Sequence, residues 1–173
     1  CAFCFVDRTV PDFPEADILA EIERIAAHNL AHVVLSGGEP TLHPALPRFI
    51  ARARELGFHT IEVQTNGVKT ADMAYARALV DAGMNKVTCS LHSIDPEHSD
   101  KITRLPGAFW KTVRSLHHFR ELGVLTQVAH VVTRSNYREL PDTVRFLRSQ
   151  YPDGDGHLSI CFGVAQPISD LVY

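Results

Sequence analysis

Strict alternation of helix and strand predicts an α/β fold with a parallel sheet, and three observations carry that prediction. Amphipathic stretches of helical period alternate with short apolar runs bounded by turn residues. The run helix, glycine, strand recurs in ELGFHT, DAGMNK and ELGVLT, where Gly57, Gly83 and Gly123 can take the left-handed conformation that ends a helix. Their spacing is unequal, which argues against a short solenoid repeat, and strand–helix–strand order calls for right-handed crossovers.

The elements follow in order. PEADILAEIERIAAHNL puts Ile18, Ile22 and Ile25 on one helical face, with Glu15 and Asp17 in the first turn where the helix dipole favours them. HVVLS reads as a buried strand and GGEPTLH as a loop. PALPRFIARARELG is a helix with Leu46, Phe49, Ile50 and Ala53 inward. HTIEVQT is a strand closing on Asn66-Gly67. Thr70 is expected to cap a helix that runs to Gly83, and KVTCSLHS is the next strand. IDPEHSDKITRLPG reads as a polar insert before a helix with Phe109, Trp110, Val113 and Leu116 on its buried side. VLTQVAHVV is a strand, Leu140 to Gln150 a helix and HLSICFGV the last strand. Five strands and five helices are expected, in one domain spanning residues 1–173. A parallel sheet of this kind normally has a strand before its first loop, so the chain is expected to begin late in its domain.

Composition bounds the function. Of 173 residues, 45% are hydrophobic and 21% charged, as in ordinary globular proteins. The net charge of -3 argues against nucleic acid, whose phosphates call for a basic face. No apolar run approaches membrane-spanning length, so no membrane association is expected. Of the four cysteines only Cys1 and Cys4 lie at a ligand-like spacing. A chain this rich in core residues needs no disulfide staples, which points to a reducing, cytoplasmic compartment. Cys89 and Cys161, each inside an apolar run, are expected as buried thiols.

The strand ends gather the residues with chemistry. They are Gly37-Gly38-Glu39-Pro40, Thr65-Asn66-Gly67, Ser90-Leu91-His92-Ser93, His130 with Asn136 beyond it, and Gly163-Val164-Ala165-Gln166. Barrels and doubly wound sheets both place their sites at this edge. Gly37 and Gly38 let a ligand approach the backbone, Glu39 adds a negative charge suited to an amine, and Pro40 stiffens the exit. Cys1-Ala2-Phe3-Cys4 alone is compatible with half a zinc site, a redox pair or part of an iron–sulfur site.

In combination, CAFC, GGEP, TNG and SLH on successive strands resemble the radical S-adenosylmethionine (SAM) enzymes. Their C-x3-C-x2-C signature usually has an aromatic residue before the last cysteine, matched by Phe3. The first cysteine would lie four residues upstream of Cys1. The resemblance implies a partial (β/α)6 barrel of TIM type, lacking its first strand in this chain. It also implies a 4Fe-4S cluster on Cys1, Cys4 and the upstream cysteine, and a cluster poorly held by this chain alone. SAM would be cleaved there to a 5′-deoxyadenosyl radical that takes hydrogen from a peptide or small-metabolite substrate. Gly37, Gly38, Glu39 and Pro40 would receive the methionine amino group, and Phe3 would lie beside the adenine. Asn66 and Ser90 would stand near the ribose or methionine, His130 near the cofactor, and Arg104 at the SAM carboxylate. The implied partners are the substrate and a reductant such as flavodoxin or ferredoxin. The runs DKITRLPGAFWKTVRSL and VVTRSNYRELPDTVRFL resemble the branch of peptide-modifying maturases and molybdenum-cofactor-type cyclases. Relatives often carry S-L-D where this chain has S-L-H, so His92 either contacts substrate or caps its strand through a backbone carbonyl. The competing reading is a non-catalytic barrel that binds a nucleotide-like ligand or a protein partner without a cluster.

Overall fold

A computed structural model of the chain, describing residues 1–4, 6, 9, 11–151 and 158–165, contains six α-helices and five strands. In chain order these are α1 (Glu15–Ala26), β1 (His32–Leu35), α2 (Leu46–Glu55), β2 (Thr60–Thr65), α3 (Met73–Ala82), β3 (Lys86–Ser90), α4 (Pro96–Thr103), α5 (Ala108–Glu121), β4 (Leu125–Val132), α6 (Leu140–Gln150) and β5 (Leu158–Val164). Gln166 lies outside the described residues. No helix among those described is long and apolar enough to cross a membrane.

The strands pair in parallel in the order β1-β2-β3-β4-β5, each beside its successor in sequence. A doubly wound sheet reverses its order at a switch point. This sheet never does, so it winds in one direction as a barrel wall does. One pleat side carries Val33, Ile61, Val63, Val87, Cys89 and Val128, and these build the two hydrophobic clusters with the helices. α2 shows why the helices dock: Leu46, Phe49, Ile50 and Ala53 repeat at helical spacing and none is more than 3% exposed. Each large side chain so buried contributes about 1.5–3 kcal/mol.

The opposite, concave side is polar. The Ser36 hydroxyl donates to Gln64 Oε1 at 2.8 Å, and Thr88 Oγ1 donates to Glu62 and to Gln127 at 2.6 and 3.1 Å. Glu62, 3% exposed, also meets Lys86 Nζ at 2.8 Å and His32 Nε2 at 3.0 Å. Burial opposes its ionisation, yet the bonds from Lys86 and Thr88 hold its carboxyl below the usual range. A buried carboxylate is tolerated only with such partners.

Five expectations need correction. The insert IDPEHSDKITRLPG contains α4, capped by the Asp95 carboxylate on the His98 amide and opened by Pro96. Its apolar period is nearly absent, since only Ser99 and Ile102 are buried, and it raises the helix number to six. Helix α3 is capped by Asp72 rather than Thr70; Thr70 is fully buried and shares a 2.6 Å bond with Ser115 Oγ. Trp110 is 61% exposed, because the α5 stripe runs through Phe109, Val113 and Leu116, about 100° round the helix from it. Cys161 is exposed: it alternates with Leu158 and Ile160, which take the helix side of edge strand β5. Finally, β3 stops at Ser90, leaving Leu91-His92-Ser93 as a loop.

The α4–α5 corner depends on one side chain. Asp100 accepts from the amides of Gly107 and Phe109, capping a helix whose own N-cap residue is a glycine. Asp100→Ala is expected to lower stability by about 1 kcal/mol, read as a reduced urea midpoint. An unchanged midpoint would show the cap to be idle.

Candidate active site

The loops at the carboxyl ends of the strands are wired together by Glu39. Its Oε1 accepts from Thr41 N (3.2 Å), Thr41 Oγ1 (2.6 Å) and Thr65 Oγ1 (2.7 Å), and its Oε2 accepts from Asn66 N (2.7 Å). A carboxylate has about two acceptor sites on each oxygen; three of the chain's own donors crowd onto Oε1 and one meets Oε2. Pro40 opens the single turn of 3-10 helix that brings Thr41 round to Glu39. The Thr41 carbonyl then accepts from Lys69 Nζ at 2.7 Å and Tyr75 OH at 3.1 Å, extending the anchor to the start of α3.

Just upstream, Gly37 has φ +142° and nothing within 4 Å of where a Cβ would stand, so the backbone is open to approach. Gly38 lies 3.7 Å, by the same measure, from Val6 of the segment that follows the cysteines. The Thr65-Asn66-Gly67 turn is locked from inside. Thr65 Oγ1 accepts from Gly67 N, Asn66 Oδ1 accepts from Val68 N, and the Asn66 carbonyl accepts from Thr112. Gly67 has φ +77°, and a Cβ there would sit 2.8 Å from Cys89 Sγ and 3.2 Å from Thr112 Cα, so only glycine fits. Burial, followed by the charge of Glu39, pushes the Cys89 thiol up to about 12, which makes it an inert packing group.

The cysteine loop lies across this edge. Ala2 N donates to the Ile102 carbonyl of α4 at 2.7 Å, and Cys4 N donates to Cys1 O at 3.2 Å, folding both thiols into one turn. Cys1 is half-buried and Cys4 exposed. Among the described residues no third histidine, cysteine or carboxylate joins them. Two thiols of a tight turn beside an open glycine loop fit part of an iron–sulfur ligand set and a ligand resting on the backbone.

Phe3 meets His92 edge to face, with ring centroids 4.9 Å apart. His92 Nδ1 accepts from Val131 N at 3.1 Å, so its neutral ring carries the proton on Nε2. It therefore caps β4 through an amide, not through the carbonyl expected from sequence. The His92 carbonyl and that of Val131 both accept from Asn136 Nδ2, a fully buried side chain. His130, 1% exposed, has no hydrogen bond at either ring nitrogen; the Leu91 carbonyl is near enough to favour its charged form without bonding to it. By alternation it shares the helix side with Val128, between His92 (6.3 Å) and Phe162 (5.7 Å), whereas Ser90 ends β3 on the concave side. Arg104 is exposed and left-handed (φ +59°), two residues past the carbonyl that holds Ala2.

Sequence reasoning missed Thr41 and Thr65 as partners of Glu39, and also the cluster of Ser93, His98 and Glu139. There Ser93 Oγ donates to Glu139 at 2.6 Å and His98 Nδ1 lies 2.7 Å from it, tying α4 to the start of α6. The one legible signal was Asp95-Pro96, which marks the helix carrying His98.

A family model described as the Radical SAM superfamily matches residues 1–147. The chain belongs to the radical SAM superfamily. Members of that superfamily are enzymes that use a 4Fe-4S cluster and SAM. Among curated relatives, a probable GTP 3′,8-cyclase of Sulfolobus acidocaldarius is 30% identical over 157 residues, covering 88% of this chain and 49% of the relative. A PqqA peptide cyclase of Methylorubrum populi is 31% identical over 145 residues, with 82% and 37% covered. An Fe-coproporphyrin III synthase of Methanosarcina barkeri is 31% identical over 146 residues, with 82% and 36% covered. The chain thus spans half or less of the length of these relatives. Among solved structures, anSMEcpe with bound AdoMet and a peptide superposes with TM-score 0.76 at 18% identity, covering 96% of this chain and 47% of that one. Streptococcus suis SuiB bound to S-adenosylmethionine gives 0.75 at 17%, covering 98% and 38%. These likenesses bear out the TIM-barrel-like α/β fold.

Two outcomes follow for this radical SAM core. Glu39→Ala strands donors from two loops and is expected to lower stability by about 2 kcal/mol, measured by urea unfolding, while Leu42→Ala at an exposed site changes little. Burial above all, with His130 beside it, pushes His92 down to about 4 from 6.5, and burial lowers His130 as well. The unfolded chain therefore binds more protons between those values, and stability falls as pH drops from 6.5 towards 4. His92→Gln should flatten that slope, whereas the exposed His28→Gln should leave it intact.

Proposed function

We propose that this chain is the core of an enzyme that abstracts hydrogen from a peptide or small-molecule substrate. The observation that carries the reading is the convergence of a two-thiol turn with an open Gly37-Gly38 loop at one end of a parallel barrel wall. Cys1 and Cys4 would hold iron of the cluster. Gly37 and Gly38 would offer backbone carbonyls to the methionine ammonium, with Pro40 fixing the loop and the charge of Glu39 behind it. Phe3, already braced on His92, would flank the adenine. Asn66 and Ser90 would lie near the ribose and methionine, Arg104 at the carboxylate, and His130 would support the same end from behind the sheet.

The chemistry that cluster and SAM supply when bound is reductive cleavage to methionine and a 5′-deoxyadenosyl radical, which takes the hydrogen. This chain's residues orient the nucleoside, exclude water and hold the reacting groups on the polar concave side. A peptide or a small polar molecule is supported as substrate by the relatives named for peptide and GTP cyclisation. The reductant would be a flavodoxin or ferredoxin, and the setting cytoplasmic.

The test is anaerobic: full-length protein reconstituted with iron and sulfide, reduced with dithionite and given SAM, with 5′-deoxyadenosine quantified. Wild type is expected to form it and Cys4→Ala to form none. Equal product from both, or none from a wild type with its full cluster, would overturn the reading.

A further inference from the structure

The loop that closes β3 is pinned residue by residue. Leu91 N donates to the Ala129 carbonyl at 3.0 Å, the His92 carbonyl accepts from Asn136 Nδ2 at 2.7 Å, and Ser93 Oγ donates to Glu139 at 2.6 Å. Between these ties the His92 ring is 4% exposed, with Nδ1 taken by the Val131 amide. Capping the strand uses that one acceptor, and a carboxylate or carboxamide would supply it as well. An imidazole adds a second polar atom across the ring, the Nε2–H donor. This donor meets no acceptor among the described residues, yet it is not sealed off as both His130 nitrogens and the Thr143 hydroxyl are. The nearly buried ring therefore reaches the open through its donor. Burial above all pushes the ring down to about 4, so at neutral pH that donor carries no charge.

What stands beside the ring is Phe3, edge to face at 4.9 Å and 76°. A base flanked by Phe3 is thereby a neighbour of His92 too. The ring nitrogens of adenine are uncharged acceptors directed outward along the edge of the base. A neutral N–H matches such an acceptor, whereas a carboxylate or phosphate calls for a guanidinium or an ammonium. We infer that His92 donates from Nε2 to a ring nitrogen of the adenine of bound SAM, one nitrogen of the imidazole serving the fold and the other the nucleoside. A site built around such a donor rejects a base that lacks the acceptor. The inference rests on the proposed placement of the adenine beside Phe3 and adds to it the side chain that selects the base.

The test separates the two nitrogens with isosteres. Asparagine puts an acceptor near the place of Nδ1 and nothing at that of Nε2. Glutamine extends an amide to the place of Nε2 and leaves that of Nδ1 empty. Full-length protein without its cluster is titrated calorimetrically with S-adenosylhomocysteine, and urea midpoints are measured alongside. His92→Asn is expected to bind about fivefold more weakly at a near-wild-type midpoint. His92→Gln is expected to bind within about twofold of wild type at a lowered midpoint. A second reading changes the ligand instead, using the 1-, 3- and 7-deaza forms of the probe, each with CH in place of one ring nitrogen. One of the three should lose about fivefold in affinity on wild type and nothing further on His92→Asn. Equal affinity of wild type and His92→Asn, or three deaza forms that bind wild type like the parent, overturns the inference alone and leaves Nε2–H on the Phe3 face. Absence of S-adenosylhomocysteine binding by wild type, with the cluster or without it, overturns the SAM reading beneath it.

Discussion

One carboxylate organises the carboxyl edge of the sheet. Glu39 collects donors from its own loop and from the end of β2, at distances of 2.6 to 3.2 Å, and so fixes two loops relative to each other before any ligand arrives. Gly37 can stay open because the residue two places on is so firmly held. The negative charge that suits an ammonium is also the charge that satisfies two threonine hydroxyls and two amides, so one group serves fold and site together. Removing it would leave both loops with unmet donors in a partly buried place, which is the costly direction of hydrogen-bond loss.

The same device recurs along the edge, where each strand runs out of neighbours and a side chain replaces the missing backbone partner. His92 Nδ1 takes the amide of Val131 one step beyond the last β3–β4 pair, and Asn136 serves two carbonyls at once. Thr65 does this for Gly67. Buried polar groups need partners, and supplying them from side chains leaves the strand ends rigid without lengthening the sheet. His130 stands outside this economy, buried with both ring nitrogens unbonded, so its place behind the strand ends is held by packing between His92 and Phe162.

How much of this was legible depended on periodicity. Four of the five strands could be read to within a residue and the inward face of α2 completely, because Leu46, Phe49, Ile50 and Ala53 repeat cleanly and glycines follow α2, α3 and α5. Helix α4 was missed because its stability comes from Asp95, Pro96 and contacts to α5 and α6 rather than from an apolar stripe. Trp110 was misplaced because an aromatic one residue off the stripe looks like part of it. Cys161 read as core because an apolar run on an edge strand does not say which pleat side is covered. The site's loops could be found from their order, but the role of Glu39 could not. A glutamate after two glycines looks free until the hydroxyls that surround it are known.

The bond from Ala2 to Ile102 ties the placement of the cysteine turn to the α4–α5 corner. Because the cysteine turn hangs from the last turn of α4, and Asp100 in that turn also starts α5, the thiols and the helix corner open as one local unit rather than separately. Fraying of the corner and release of the cysteines are then a single event. The position of the two thiols is therefore inherited from a helix end, and a shift of the α4–α5 corner carries the cysteine turn with it.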